Sequence, residues 1–536
     1  EGFDRMWLTL PSEPHECYYG SGEVFSEYDL KGLKATVWVA EHINVLQTTR
    51  KLLRNALGQR DSMRKQRFGC YETYYAQPTF VSSRRYFYHS LATAKCTFDF
   101  THHHKTILTT DEIAPFYLGF GDSFEGLMTT LTSLVGRQPE LPDWVYDGRI
   151  LGIQGGTEVM LGKYHRALET GSAVCGLWIQ DWEGRRVTAL GKQLFWNWEW
   201  DQAHYPDLDR VIRDLADEGV KVLGYCNPFL AIEKPLYQEA AAKGYCVKDR
   251  EGKDYLVTIT TFPAAMVDLT NPDAYSWLKE VIKRNMIGLG LAGWMADFGE
   301  YLPPDAILYS GEDAELVHNT WPARWARLNR EAVEEAGKLG EIMFFTRAGH
   351  SDTPRYSTMM WNGDNHPDFS IDFGLPSIIP AMLSLTLCGF GLSHSDVGGY
   401  TSLMNMRRSK EVYLRWCEMN AFCPLMRGHE GLNPDINVQF DHDEDTLRIG
   451  ALYSRIHLAL KPYLKEAVAF NAKCGVGVVR PMFFYYDERE AYTNGYEYLL
   501  GRDILVAPVL RPRATTRRVF LPQDEWVDIW TGETLY

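Results

Sequence analysis

The stretch Gly293-Trp294-Met295-Ala296-Asp297-Phe298-Gly299-Glu300 decides the fold. An apolar run of strand length ends in a carboxylate, and a glycine and a second acid follow at once. This layout predicts that Asp297 lies at the C-terminal tip of a buried strand, where a rigid scaffold can aim it into a pocket. A lone aspartate after a strand is more often a helix N-cap or a turn residue, so the stretch needs support from elsewhere in the chain.

That support is a second carboxylate in the same setting, in Met359-Met360-Trp361-Asn362-Gly363-Asp364. Two aspartates at two strand tips, each near a tryptophan, are typical of enzymes that cleave glycosidic bonds with a pair of carboxyl groups. Because both sit in aromatic contexts punctuated by glycine, the pattern favours chemistry over capping.

Bulk composition narrows the class of protein. The chain has 536 residues, 45% of them hydrophobic, and a mean hydropathy of −0.28, as a soluble globular protein has. Aromatic residues make up 13%, which suits stacking on sugar rings but also suits the filling of large cores. Composition alone does not separate these two uses.

The net charge of −15 argues against nucleic acid or an anionic membrane surface as a partner, although a small anionic substrate stays possible. The sequence contains no run of 18 apolar residues, so it predicts no membrane-spanning helix. The ten cysteines form no C-x-x-C pair, and no glycosylation sequon occurs. We therefore predict a cytoplasmic protein whose cysteines are reduced. We expect it to act on a small-molecule glycoside without a metal or organic cofactor. Whether it forms a homo-oligomer is left open.

The chain divides into three predicted domains. Residues 1–140 form an N-terminal β-sandwich domain, residues 141–450 a catalytic domain and residues 451–536 a C-terminal β-sandwich domain, and both end domains are expected to be truncated. Within the catalytic domain eight short apolar runs predict strands, at 149–154, 176–181, 221–227, 292–297, 342–347, 358–361, 389–393 and 422–427.

Helical patterns lie between these strands. Leu208, Val211, Ile212 and Leu215 recur at helical spacing, and Asn271-Pro272 starts another helix as an N-cap with proline at the first helical position. Eight alternations of strand and helix predict a (β/α)8 TIM barrel. The alternation would also allow an open parallel sheet, but no dinucleotide or phosphate-loop fingerprint follows any strand.

In such a barrel, function collects where the strands end. Nearly every predicted tip carries a hydrogen-bonding or charged side chain, which a purely structural barrel would not need. Read in chain order, these are Gln154, Gln180, Asn227, Asp297, Glu300, Arg347, Trp361, Asp364, His394, Tyr400, Arg427 and His429. Such a ring of donors and acceptors suits a polyhydroxylated substrate.

The chain resembles glycoside hydrolase family 31, the family of α-glucosidases and α-xylosidases. The resemblance rests on Trp294-Met295-Ala296-Asp297-Phe298-Gly299-Glu300, Trp361-x-Gly363-Asp364 and His394-Ser395-Asp396-Val397-Gly398-Gly399. The finer likeness is to the bacterial sulfoquinovosidases of that family and covers nearly the whole chain.

The resemblance implies a retaining α-glycosidase with Asp297 as nucleophile and Asp364 as acid/base. It also implies that Gln180 replaces the sugar-holding aspartate of α-glucosidases, and that Gln154 and Tyr400 contact the sugar. Further substrate contacts are predicted for Trp196, Trp294, Glu300, Arg347, Trp361 and His429.

One position departs from the pattern. The resembling enzymes read the sulfonate with an arginine three residues before a tryptophan, and here Gln193 precedes Trp196. A glutamine supplies two donors but no charge. Lys192 is adjacent, but alternation along an extended segment points it the opposite way. We expect Gln193 to line the substrate site as well.

Three alternatives stay open. An α-glucosidase, α-galactosidase or α-xylosidase would place a neutral sugar beside Gln193. A non-catalytic carbohydrate-binding relative would have no use for both Asp297 and Asp364. A metal-dependent hydrolase is prompted only by the run His102-His103-His104, which lies far from the predicted strand tips.

Overall fold

The computed structural model describes residues 4–42, 49, 53, 73–188, 191–259, 261–403 and 405–535. Within these ranges the N-terminal part contains eight strands, in agreement with the predicted β character. They are β1 (Met6–Pro11), β2 (Tyr18–Gly22), β3 (Lys34–Val37), β4 (Ala76–Ser82), β5 (Tyr86–Ser90), β6 (Cys96–Asp99), β7 (Lys105–Thr110) and β8 (Phe116–Phe120).

These strands form two antiparallel sheets, in the orders β1-β7-β6-β3 and β2-β4-β5-β8. Val37, Phe98 and Leu108 from the first sheet share one hydrophobic cluster with Phe80 and Tyr88 from the second. The two sheets therefore pack as a sandwich. His102, His103 and His104 lie in the connection between β6 and β7, away from the barrel.

A parallel barrel follows, and six of the eight predicted strands are confirmed. The seventh and eighth strands begin only at Ser393 and Arg427, the last residues of the predicted runs 389–393 and 422–427. The strands of the barrel are β9 (Arg149–Gly152), β10 (Val174–Trp178), β13 (Lys221–Cys226), β17 (Gly293–Ala296), β18 (Met343–Thr346), β19 (Met359–Trp361), β20 (Ser393–His394), β21 (Asp396–Val397) and β22 (Arg427–Gly428). The order β20-β19-β18-β17-β13-β10-β9-β22-β21 is that of a nearly closed barrel, not of an open sheet with two free ends.

The seventh strand closes the barrel by dividing at Ser395. Its first half, β20, pairs with β19, and its second half, β21, pairs with β22. A fully buried ion pair between Arg427 and Asp396 joins the seventh and eighth strands, and Arg427 Nε also donates to His394 Nε2 at 2.9 Å.

Helices cover the outside of the barrel and continue beyond it. They are α1 (Phe124–Val135), α2 (Thr157–Glu169), α3 (Leu208–Asp217), α4 (Pro235–Ala242), α5 (Pro272–Ile282), α6 (Ala314–Val317), α7 (Trp321–Glu335), α8 (Thr353–Tyr356), α9 (Ile378–Leu387), α10 (Lys410–Asn420), α11 (Glu444–Ala459), α12 (Lys461–Cys474) and α13 (Arg489–Thr493).

The sequence patterns for two of these helices are confirmed. Helix α5 is capped by Asn271, whose side chain accepts from the N–H groups of Asp273 and Ala274. Helix α3 buries the four apolar residues whose spacing predicted it. Both helices pack their apolar faces toward the barrel.

Short strands branch from the barrel and complete the C-terminal part. Those inserted into the barrel are β11 (Arg185–Thr188), β12 (Gly191–Leu194), β14 (Phe229–Ala231), β15 (Leu256–Val257) and β16 (Ala264–Met266). Those of the C-terminal part are β23 (Val479–Arg480), β24 (Tyr498–Leu500), β25 (Ile504–Val506), β26 (Trp526–Val527) and β27 (Thr534–Leu535). The antiparallel pair β11–β12 carries Gln193.

The nine cysteines within the described ranges are free thiols, eight of them buried, and Cys70 lies outside those ranges. Within the same ranges, no helix is both long and apolar enough to cross a lipid bilayer.

Candidate active site

Arg347 lies at the centre of the strand tips, directly after β18, and its side chain is 1% exposed. Four carboxyl groups surround its guanidinium. Nε lies 3.2 Å from Asp297 Oδ1, Nη1 donates to Asp364 Oδ2 at 2.9 Å, and Nη2 donates to Glu300 Oε1 at 2.6 Å. The fourth, Glu41, lies at 3.3 Å from Nη2. One cation therefore joins both predicted catalytic aspartates.

The turn after β17 fixes the carboxylate of Asp297. Tyr225 donates its phenol O–H to Asp297 Oδ2 at 2.5 Å, and the N–H of Phe298 donates to Oδ1 at 2.8 Å. Phe298 adopts a left-handed φ of 60°, which is uncommon for a bulky side chain. Its ring lies under the guanidinium of Arg347, with 4.6 Å from Cζ to the ring centroid. The strained turn thus packs against the central cation.

Asp364 is the more accessible of the two aspartates, with 23% of its side chain exposed against 10% for Asp297. Burial raises the pKa of Asp364 well above its usual range, and the negative Glu41 and Asp297 add to this rise while Arg347 opposes it. A carboxyl group with a raised pKa keeps its proton nearer neutral pH, as a general acid must.

Glu300 is a third acid in the cluster, with a fully buried side chain. Burial raises its pKa to about 7, with Glu41 and Asp297 adding to the rise and Arg347 opposing it. Four carboxyl groups share one guanidinium, so the cluster retains protons instead of carrying its full negative charge.

Tyr400 and His429 are both predicted to bind the substrate, and they pack against each other after the seventh and eighth strands. The rings of Tyr400 and His429 lie 4.8 Å apart, and His429 packs edge-on against Trp178 at 4.8 Å. Burial lowers the pKa of His429 well below its usual range, and Arg427 and Arg408 add to the shift. His429 is therefore a neutral imidazole.

Trp361 ends β19 and is 1% exposed. Its ring meets Phe345 in a T-shaped contact at 5.8 Å, and its indole N–H has no partner in the part of the chain that the structure describes.

Gln180 and Gln154 both follow barrel strands and are half-buried. Gln154 lines a cavity of about 220 Å³ that also contains Lys163, Arg185 and Lys192. Each of these cations faces a carboxylate: Lys163 pairs with Glu430, Lys192 with Asp435 at 3.1 Å, and Arg185 approaches Asp181 at 3.7 Å. Lys192 thus points away from Gln193, as strand alternation predicts.

Gln193 lies in β12 and is 8% exposed. Its side-chain oxygen accepts hydrogen bonds from the hydroxyl groups of Thr188, at 3.1 Å, and Thr261. Trp196 follows this strand and packs among three phenylalanine rings, including Phe298 at 5.4 Å. The inserted hairpin is therefore in contact with the residue that follows Asp297.

The structure does not bring Trp294 into this site, in contrast to the prediction. Trp294 is fully buried, stacks on Phe344 and donates its indole N–H to Asn329 Oδ1 on α7 at 2.8 Å. Side chains alternate along a strand, so Trp294 and Asp297, three positions apart, face opposite sides. Trp294 joins the barrel to its helical layer.

Two important contacts were missed from the sequence. Tyr225 precedes the predicted tip residue Asn227 by two positions, so strand alternation was a signal that could have found it. Glu41 belongs to the N-terminal part and accepts hydrogen bonds from Tyr301 and, at 3.1 Å, from Tyr74. No local pattern marks Glu41, because its partners lie far along the chain.

Comparison with known proteins agrees with this geometry. The sequence profile of the glycosyl hydrolases family 31 TIM-barrel domain matches residues 172–467, and that of the glycosyl hydrolase family 31 C-terminal domain matches residues 475–536. The chain belongs to glycoside hydrolase family 31. It is a glycoside hydrolase, as the resemblance implied.

Two similar relatives and one similar solved structure are sulfoquinovosidases. The sulfoquinovosidase of Escherichia coli strain K12 is 50% identical over 99% of this chain and 78% of its own length. The sulfoquinovosidase of Agrobacterium fabrum is 42% identical over 99% of this chain and 80% of its own length. The solved structure of a family 31 sulfoquinovosidase from E. rectale, in complex with the aza-sugar inhibitor IFGSQ, has a TM-score of 0.95 and 43% identity. The match covers 99% of this chain and 80% of the E. rectale chain.

We expect the change Tyr225→Phe to lower kcat/KM for glycoside hydrolysis roughly ten- to a hundred-fold, because a charge-assisted hydrogen bond contributes about 1.5–3 kcal/mol and 1.4 kcal/mol is a factor of ten. Steady-state kinetics measure this. The matched control is Tyr498→Phe, which removes a buried phenol that donates to the carbonyl of Phe422 at 3.0 Å. Equal losses in both variants would mean that the Asp297 contact has no special role.

Proposed function

We propose that this chain is a retaining α-glycosidase that hydrolyses α-sulfoquinovosides, such as sulfoquinovosyl glycerol, by double displacement. The observation that carries the proposal is the contact of both Asp297 and Asp364 with the single guanidinium of Arg347. A shared cation favours the short spacing of carboxyl groups that a retaining mechanism uses, about 5–5.5 Å. The names of the similar relatives support the substrate class.

In this mechanism Asp297 attacks the anomeric carbon, and Tyr225 and the N–H of Phe298 hold its carboxylate in place. Asp364 protonates the leaving oxygen and then takes a proton from the incoming water. Burial raises the pKa of Asp364, which keeps the acid protonated for the first step. After that step Asp297 is an uncharged ester, which removes one of the negative charges that favour the protonated form of Asp364. The pKa of Asp364 therefore falls, and the ionised form that can accept a proton from water becomes populated.

The substrate contacts we propose lie on several strand tips. Gln154, Gln180, Glu300, Arg347, Trp361, Tyr400 and His429 surround the sugar, and Gln193 and Trp196 face its 6-substituent from the inserted hairpin. With Arg347 already in contact with four carboxyl groups, we assign it the positioning of Asp297 and Asp364 rather than recognition of a sulfonate.

A second candidate function follows from Gln193, because a neutral amide faces the place where a cation would pair with a sulfonate. A hydroxymethyl group would be satisfied by that amide, which favours an α-glucosidase or a related enzyme acting on a neutral sugar.

Paired substrates test the proposal. We expect kcat/KM to be higher on an aryl α-sulfoquinovoside than on the aryl α-glucoside with the same leaving group, and NMR to detect the α anomer as the first sugar released. Release of the β anomer would contradict the retaining mechanism. Equal or higher activity on the glucoside would favour the neutral-sugar alternative.

The change Asp364→Asn should damage the enzyme most on substrates with poor leaving groups, by roughly 10²–10⁴-fold, because good leaving groups depart without protonation. The wild-type rate on poor leaving groups should fall as pH rises through the raised pKa of Asp364, since the acid form is then lost. A variant that keeps wild-type rates on such substrates would assign the acid role elsewhere, first to Glu300.

The change Gln193→Arg should raise kcat/KM on sulfoquinovosides, by roughly two- to thirty-fold, and lower it on glucosides. A charge-assisted hydrogen bond contributes about 1.5–3 kcal/mol against about 1 kcal/mol for a neutral one. Gln193→Met, similar in size but without donors, is the matched control and should lower turnover of both substrates. Unchanged or lower sulfoquinovoside turnover in the arginine variant would mean that another cation pairs with the sulfonate, or that the natural substrate carries none.

A further inference from the structure

A buried contact between an acid and an amide ties the segment that carries Asp364 to the N-terminal part of the chain. Asn362 Nδ2 donates to Glu23 Oε1 at 2.7 Å, and neither residue is exposed to solvent. Asn362 lies two positions before Asp364, and its own N–H donates to the carbonyl of His394 at 2.8 Å. Both the side chain and the backbone of Asn362 therefore anchor this segment.

Glu23 is equally well fixed. It directly follows β2, its N–H donates to the carbonyl of Tyr75 at 2.8 Å, and its carbonyl accepts from Thr73 Oγ1 at 2.6 Å. The contact thus connects two segments that are each held by their own backbone bonds.

Two side-chain oxygens, one on Glu23 and one on Asn362, take no part in this contact. Glu23 Oε2 and Asn362 Oδ1 are buried, and neither has a hydrogen-bond partner among the described residues. An ionised carboxylate and an amide oxygen are both acceptors only, so an ionised Glu23 would leave both atoms unpaired, which is costly in a buried site. A proton on Oε2 makes that oxygen a donor, and the amide that already donates to Glu23 carries the matching acceptor.

We propose that Glu23 stays protonated in the folded enzyme and acts as a positioning residue, holding the Asp364 segment through a two-bond ring with Asn362. The positioning role rests on the proposed function of Asp364 as acid/base.

Among the described residues, the hydrogen bond from Asn362 is the one side-chain contact that stabilises a negative charge on Glu23. Burial raises the pKa of Glu23 to about 8, and the bond from Asn362 only partly opposes this. Within the described ranges, the titratable groups near it are Tyr75, the thiol of Cys388 at the end of α9, and His394, whose carbonyl accepts from Asn362. Burial disfavours the charged form of each. Among the ion pairs of the described residues, none includes Glu23.

Thermal unfolding across pH tests the proton. An unfolded glutamate ionises near pH 4.3, whereas the folded one keeps its proton until about pH 8, so the wild type should lose stability as pH rises between these values and level off above them. Glu23→Gln does not titrate there, and its amide can donate and accept in the same ring. We therefore expect the Tm of Glu23→Gln, minus that of the wild type, to grow from pH 5 to pH 8.

The matched control is Glu251→Gln on the surface, whose Tm difference from the wild type should stay flat. A flat difference for Glu23→Gln as well would overturn the protonated state, because it would mean that Glu23 ionises alike in the folded and unfolded chains.

Kinetics test the positioning role. Glu23→Ala should lower kcat on glycosides with poor leaving groups by at least ten-fold more than on activated aryl glycosides, and Glu23→Gln should restore the ratio. A purely structural role would lower Tm in Glu23→Ala without changing that ratio, and this result would overturn positioning. If the wild type cleaves no glycoside, the proposed function and the positioning role fail together, while the Tm series still decides the protonation of Glu23.

Discussion

The ion-pair cluster of Arg347 is the interaction on which the rest of the site depends. Its guanidinium is almost completely buried, and such a desolvated cation persists only where anions surround it. The four carboxyl groups come from separate parts of the chain: Glu41 from the N-terminal part, Asp297 and Glu300 from the fourth strand tip, and Asp364 from the sixth. One side chain therefore fixes the orientation of both catalytic candidates and docks the sandwich onto the barrel. Burial raises the pKa values of Asp364 and Glu300, and the neighbouring carboxylates of the same cluster add to the rise.

The barrel could be predicted from the sequence because its determinants are local. Each strand is a short apolar run ended by polar residues, and each helix shows its own spacing and, for α5, its own cap. Closure could not be predicted in the same way. It depends on the division of the seventh strand at Ser395 and on the buried pair of Asp396 and Arg427, which is a contact between two strands rather than a property of either.

The candidate site shows the same limit at the level of single residues. Asp297, Asp364 and Arg347 were found because each ends or closely follows a barrel strand. Trp294 was misplaced because its position near the nucleophile was given more weight than the two-residue period of a strand, which turns it toward Asn329. Glu41 and Glu23 could not be found at all, because their partners lie in the barrel, hundreds of residues along the chain.

In the proposed mechanism, substrate selection and bond cleavage use different elements, and Phe298 connects them. The catalytic candidates lie on the rigid barrel, whereas Gln193 lies on the inserted hairpin of β11 and β12. Phe298 contacts Arg347 on one side and Trp196 on the other, so the hairpin rests against the turn that fixes Asp297. Because the two threonine hydroxyl groups hold the oxygen of Gln193, its amide nitrogen is the group left to meet a substrate. Exchange of this side chain can therefore alter which 6-substituent is accepted while the contacts that position Asp297 and Asp364 stay in place.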